Sequence, residues 1–417
     1  MQSTSYLFYL VITVLVLTKR WECRKLGIER QSGIVNLSFN LLFFSFVSYI
    51  TVFWGYTNVF DAFSVLLCLY IVSQTPEPLN RSGNFFLLYF LFLIWCTFTL
   101  CYSTNIEKGV MMLLKLSLPL FYYAIACRAF KTSKSIWFFL EQVSKLSIAY
   151  FLCCLIARFS NGSFQIYSYF GMYALVSSLT LFLRNKKRVY ILYMLLSFSY
   201  LIVEPKRTPL LGALLIIIVA LLYLYRFKAL VPIVLSIVGF VCMVLFIPSI
   251  SSYMFFEGLD VHSIDYEAFF DGTAFEMINT HGRNDIWSVI YNHFFLKNKW
   301  VGAGLGTVKG WLLSPDNYTG SFELLHNDWL HLLCETGLIG MLFLMFFYIG
   351  LFKKTIKCFY SNRSYDTRLL ALSLACVTVG TMVHMFFENS LGGFGYSIPF
   401  LYSCFFIKSN EFDKLKS

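Results

Sequence analysis

From residue 35 to residue 407 the chain keeps returning to one pattern, an apolar run of roughly 15 to 20 residues closed by a short polar or basic stretch. Residues 209–225, PLLGALLIIIVALLYLY, show it in its plainest form. About 20 such residues in a helix cross the roughly 30 Å hydrocarbon core of a bilayer. Strands of a membrane barrel are shorter and alternate in polarity, which these runs do not. Composition closes off the soluble alternative: 13% of the 417 residues are charged and 58% are hydrophobic, against about 25% charged in soluble domains.

Apolar runs are read at residues 4–18, 35–54, 59–72, 85–101, 110–126, 136–156, 167–183, 189–203, 209–225, 229–247, 338–352, 369–387 and 394–407. The first and third are short, so the expected fold is an all-α integral membrane protein with 12 or 13 transmembrane helices. Its basic residues fall at alternate ends of the runs. Twenty-three lie in one set of loops, from Lys19 through Arg128, Arg184 and Arg226 to Lys357 and Lys408. Seven lie in the other set: Lys108, Lys206, Arg207, Arg283, Lys297, Lys299 and Lys309. The positive-inside rule makes the richer side cytoplasmic. That placement accounts for the net charge of +11, and with no basic stripe or nucleic-acid motif it argues against a nucleic-acid partner.

On this orientation residues 249–336 form one large outer segment. It separates an N-terminal bundle (1–248) from C-terminal helices (337–407), and a short hydrophilic cytoplasmic tail (408–417) is expected to be disordered. The outer segment holds five of the six histidines and eleven of the 22 acidic residues, and a connection of that length inside a compact fold is rarely idle. Within it, residues 285–296 set Ile286, Val289, Ile290 and Phe294 at helical spacing, with Asp285 as cap or first-turn acid. Cys68, Cys96, Cys101, Cys153, Cys154, Cys242, Cys376 and Cys404 fall inside apolar runs and read as small core residues without metal-ligand spacing. Residues 1–18 lack a basic leader and a small-residue cleavage site, and read as a first membrane helix.

Three places in the outer regions carry chemistry. His326 and Asn327 stand at the start of a helix read over residues 325–335, where His326 is either a base facing an aqueous cavity or a surface loop histidine. Asp328, His331 and Glu335 share the opposite face of that helix, as a hydrogen-bonded surface, with Glu335 capping or orienting, or as a weaker metal set. Lys206 and Arg207 lie between two prolines in a tight outer turn, either snorkelling to the interface or gripping a lipid-linked phosphate. Arg283 precedes the loop helix, where it serves an anion or pairs with Asp285. The glycines of residues 302–306 have no following lysine with Ser or Thr, so the stretch reads as a flexible turn and not a phosphate loop. His384, Glu388 and Asn389 end a span and either pack a helix end or share the cavity; no catalytic role is assigned to Glu388.

The run His326-Asn327-Asp328-Trp329-Leu330, followed by Glu335, Gly337 and Gly340, resembles the HNxxL and ExGxxG signature of the O-antigen ligase and polymerase superfamily. The resemblance implies a GT-C-like membrane enzyme of the bacterial inner membrane with its active site on the periplasmic face. Such an enzyme moves a glycan from undecaprenyl diphosphate to an acceptor hydroxyl without metal or other cofactor. The acceptor is the lipid A core in a ligase, the reading favoured by the single large outer loop, and another carrier-linked glycan in a polymerase. It further implies that His326 activates the acceptor, that Arg283 and Arg207, with Lys206 beside it, hold the diphosphate, and that Asn327 and Glu335 support the site. A transporter of lipid-linked glycans would instead gather ionisable groups at the membrane midplane.

Overall fold

The computed structural model describes residues 33–50, 70, 73, 85–160, 166–203, 206–246, 283–314, 324–361, 363–391 and 393–414. The apolar run at 4–18, nearly all of that at 59–72, and residues 249–282 and 315–323 of the outer segment lie outside them. The described residues are overwhelmingly helical with no strand among them, and the chain is an all-α integral membrane protein.

The helices are α1 (Gly33–Ser48), α2 (Phe85–Thr99), α3 (Ile106–Ala129), α4 (Ser133–Phe159), α5 (Phe170–Asn185), α6 (Val189–Leu196) and α7 (Tyr200–Val203). They continue with α8 (Arg207–Tyr225), α9 (Leu230–Phe246), α10 (Arg283–Ile290), α11 (Thr307–Leu312), α12 (Asp328–Phe359), α13 (Tyr365–Phe387) and α14 (Phe394–Lys414). Among the described residues five are long and apolar enough to cross a bilayer: α3, α4, α8, α12 and α13. The run read at 189–203 is broken into α6 and α7. The break falls where Gly171 of α5 presses on the Ser197 carbonyl, so closely that a Cβ would lie 2.3 Å from its oxygen. Cys96, Cys153, Cys154, Cys376 and Cys404 are buried as expected, but Cys101 and Cys242 are exposed.

The centre is α13, which packs against α5, α8, α12 and α14. Residues 369–377 are buried without interruption, the mark of a helix apolar on every side. Lipid tails are as apolar as leucine, so the hydrophobic effect does little to hold one membrane helix against another, and hydroxyl bonds and close packing take its place. Ser144 and Ser178 join α4 to α5 at 2.7 Å, Tyr173 and Thr381 join α5 to α13 at 3.0 Å, and Ser177 and Tyr402 join α5 to α14 at 2.7 Å. At its far end α14 outruns the apolar stretch that ended at residue 407. The expected loose tail is instead helix through Lys414, tied to α13 by Ser409 on Thr367 and by Asp413 accepting from Ser364 and Thr367.

One break organises residues 299–306 of the outer segment. Gly337 interrupts α12 with φ 66° and ψ −171°, a conformation essentially confined to glycine. The break strips partners from the backbone, and buried backbone groups must be paired. Residues 299–304 supply them: the Ala303 and Gly304 amides donate to the Cys334 and Glu335 carbonyls, while Lys299 and Trp300 carbonyls accept from Leu338 and Ile339. Gly302, Gly304 and Gly306 all have positive φ, and a Cβ on any of them would lie within 2.7 Å of backbone in α12, Ser103 or Gly109. The stretch read as a flexible turn is therefore wedged between the α12 break and the start of α3.

Candidate active site

His326 is held from three directions. The Trp287 indole of α10 donates to the Leu325 carbonyl at 2.7 Å, the His326 amide donates to Asn389 Oδ1 at 3.2 Å, and Asn327 caps α12 by accepting from the Leu330 amide at 2.9 Å. So α12 begins at Asp328, and His326 stands before the helix, not inside a 325–335 helix as the spacing suggested. It sits there with φ 52°, a left-handed conformation that costs a non-glycine residue of order 1 kcal/mol and persists only where its surroundings impose it.

The imidazole meets an acid that the sequence reading left without a role. Glu388, the residue that terminates α13, accepts from His326 Nδ1 at 2.8 Å, and its other oxygen lies 3.5 Å from Arg283 Nη2. Arg283 also donates through Nη1 to the Phe387 carbonyl at 2.7 Å, so it caps α13 as it pairs with Glu388. The sequence alternative of an Arg283–Asp285 pair is not formed; Asp285 is a first-turn acid of α10, as read. The loop helix follows the expected spacing with Ile286, Ile290 and Phe294 buried, but a π-turn over Tyr291–Phe295 adds Phe295 to the core and Val289 stays outside.

The side chains of His326, Glu388 and Arg283 keep 30%, 25% and 25% of their surface exposed, open enough to meet a ligand and shielded enough for charge to matter. Burial alone would raise the Glu388 pKa, but the hydrogen bond from His326 and the Arg283 charge outweigh it and hold the carboxyl below its usual range. An ionised carboxylate only accepts, so Nδ1 carries the proton of this bond, and in the neutral imidazole the lone pair is then on Nε2. Nε2 has no hydrogen-bond partner among the described residues.

Arg207 opens α8, with Lys206 as its N-terminal flank. Helices α8 and α13 run antiparallel: Tyr360, just before α13, donates to the Leu222 and Tyr223 carbonyls near the end of α8, and Cys376 reaches the Ile216 carbonyl at 3.7 Å. Nine residues back from Ile216 is Arg207, and nine on from Cys376 is Met385. At about 1.5 Å per residue both are carried roughly 14 Å to the same end of the bundle. Tyr169 packs beside the end of α13, its ring stacked on His384 with centroids 3.6 Å apart.

Asp328, His331 and Glu335 do share a face, all buried, and it is the hydrogen-bonded one. Asp328 Oδ2 accepts from the Ser390 amide, the Ser390 hydroxyl and the Leu391 amide at 2.6 to 2.9 Å, which pins the turn carrying Glu388 and Asn389. Glu335 Oε1 accepts from the Val308 amide at 2.9 Å, so it caps α11, and His331 Nε2 lies 3.1 Å from the same oxygen without hydrogen-bond alignment. No group of three or more His, Cys, Asp or Glu able to hold a metal occurs among the described residues. Glu388 was the functional candidate that sequence reasoning underrated. The available signal was an acid at the end of a span on the same side as His326 and Arg283, and only the packing of α10 on the end of α13 shows it to be their common partner.

A family model described as O-antigen ligase matches residues 192–345, from within α6 to just past the break in α12. The match takes in Arg207, Arg283 and His326 and ends before Glu388. No curated protein matches the chain. Residues 192–345 are thus similar to the O-antigen ligase family, and the HNxxL and ExGxxG residues, from His326 to Gly340, lie inside the matched stretch.

Proposed function

We propose that this protein transfers a glycan from undecaprenyl diphosphate to an acceptor hydroxyl at the periplasmic face of the inner membrane, as an O-antigen ligase acting on the lipid A core. The observation that carries the reading is the shared contact of Glu388 with His326 and Arg283. A glycosyl diphosphate already has a good leaving group. What the protein must add is a base for the incoming hydroxyl and positive charge where the departing diphosphate gathers its electrons.

In this reaction the acceptor O–H gives its proton to His326 Nε2 as the oxygen attacks the anomeric carbon. The bond from that carbon to the diphosphate oxygen breaks, its electron pair leaves with the diphosphate, and the configuration inverts. Glu388 keeps Nδ1–H oriented and stabilises the imidazolium as it forms. Arg283 has five N–H donors, of which Phe387 and Glu388 engage two, so donors remain for phosphate oxygens; Arg207, with Lys206, supplies the second cation.

The product separates ligase from polymerase. Deleting the gene from a strain with a complete O-antigen pathway is expected to leave long glycans on the carrier and bare lipid A core, with restoration by the wild-type chain and none by His326→Ala. Single repeats attached to the core in the deletion strain would instead assign the polymerase reaction. Unchanged glycans on both carrier and core would end the reading altogether.

A further inference from the structure

At the basic end of the bundle the last turns of α12 and α14 border a cavity of about 820 Å³. Lys354 and Lys357 reach it from α12, Arg363 from the turn that follows, and Lys408 from α14. Glu411 is the one carboxylate lining it among the described residues, and Lys408 lies 3.6 Å from that acid. Asp413, on the same helix, is taken up by the Ser364 and Thr367 hydroxyls. Phe406, Ile407 and Phe412 form an apolar wall beside the cations.

The positive-inside rule explains why lysines and arginines are on this side, but not why these four surround a hollow. Other cations at this end are committed to the fold: Arg184 to Asp366 and the Trp137 ring, Arg226 to the Tyr360 ring, Arg368 to the Phe359 carbonyl and ring. Lys357 and Arg363 have no carboxylate within ion-pair distance among the described residues, and both are exposed. Excess positive charge beside an apolar wall, at the end of a membrane bundle, is the chemistry that receives a phosphate attached to a hydrocarbon chain.

We propose that this cavity binds the phosphate headgroup of an anionic phospholipid of the cytoplasmic leaflet, with Lys357 and Arg363 on the phosphate and the Phe406, Ile407 and Phe412 wall against the first methylenes. A soluble phosphate shares the anion but has no use for the wall.

The test is lipid retention by the purified full-length protein, read by native mass spectrometry with added phosphatidylglycerol or phosphatidylcholine. Wild type is expected to retain phosphatidylglycerol preferentially. Lys357→Ala with Arg363→Ala should weaken that retention by about tenfold to 30-fold, the effect of two cations near a membrane surface. Lys187→Ala with Arg188→Ala removes the same charge elsewhere at this end and should leave it unchanged. Equal weakening by both pairs, or none by the first, overturns the site. Displacement of the lipid by millimolar inorganic phosphate overturns the lipid assignment in favour of a soluble anion.

Discussion

The two ends of the bundle handle charge in opposite ways. At the basic end Arg184 grips Asp366 through two bonds of 2.9 Å and lies 4.1 Å over Trp137, so one cation has one acid and a ring to hold it still. At the other end Glu388 is shared: His326 binds it at 2.8 Å and Arg283 only at 3.5 Å, with no second bond. A closed pair locks helices together, whereas a shared acid leaves each partner with unused capacity. Under the proposed function, that contrast assigns the reaction to the Glu388 end and a scaffold role to the Arg184 end.

His326→Ala should break the contrast most severely, lowering glycan transfer by about 10²- to 10⁴-fold at normal protein levels in membrane vesicles. Glu388→Gln keeps an acceptor for Nδ1 but removes the charge behind the imidazolium. Transfer should fall by about 10- to 100-fold, the range for a carboxylate that orients a histidine, and a fall as small as that from any surface acid would remove Glu388 from the mechanism. The same variant has a pH signature. Because the carboxyl is held below its ordinary 4.5 in the fold, its stabilising contribution is complete above that value and disappears as the pH falls through the depressed one. Melting temperature in detergent should therefore drop in acid more steeply for wild type than for Glu388→Gln.

Gly337→Ala tests the shared region between the ends. A Cβ there would lie 2.3 Å from the Trp300 carbonyl oxygen at a backbone angle few residues tolerate, so a stability loss of about 2 kcal/mol or more is expected in thermal unfolding. Gly239→Ala, with nothing within 4 Å, is its control and should be neutral or slightly stabilising. The smallest effect belongs to Arg184→Lys, which loses the fork on Asp366. It should cost about 1 kcal/mol or less of stability and leave transfer unchanged; a large loss of transfer would mean that the basic end is coupled to the reaction.

How far each part could be read from the chain depended on how local its cause was. The apolar runs at 110–126, 136–156 and 209–225 announced helices because burial in lipid depends on length and composition alone. The start of α12 was read only approximately, at residue 325, whereas Asn327 is its cap and Asp328 its first residue. The break at Gly337 was not read, since a single glycine inside a long apolar helix is usually accommodated. Nor was the locked conformation of residues 302–306, which exists only because broken hydrogen bonds in α12 need those amides. Glu335 carried a plausible capping role, but the helix it caps is α11, 27 residues away.

Membership of the all-α membrane class was legible in residue order, because hydropathy acts on each segment separately. Which acid serves His326 was decided by tertiary structure. Glu388 lies 62 residues further along, and the bond forms only because Asp328 pins the turn after α13 while Arg283 caps that helix from the outer segment. A hydrogen bond needs its atoms within about 3 Å, and no periodicity in the chain brings residues that far apart in sequence to that distance.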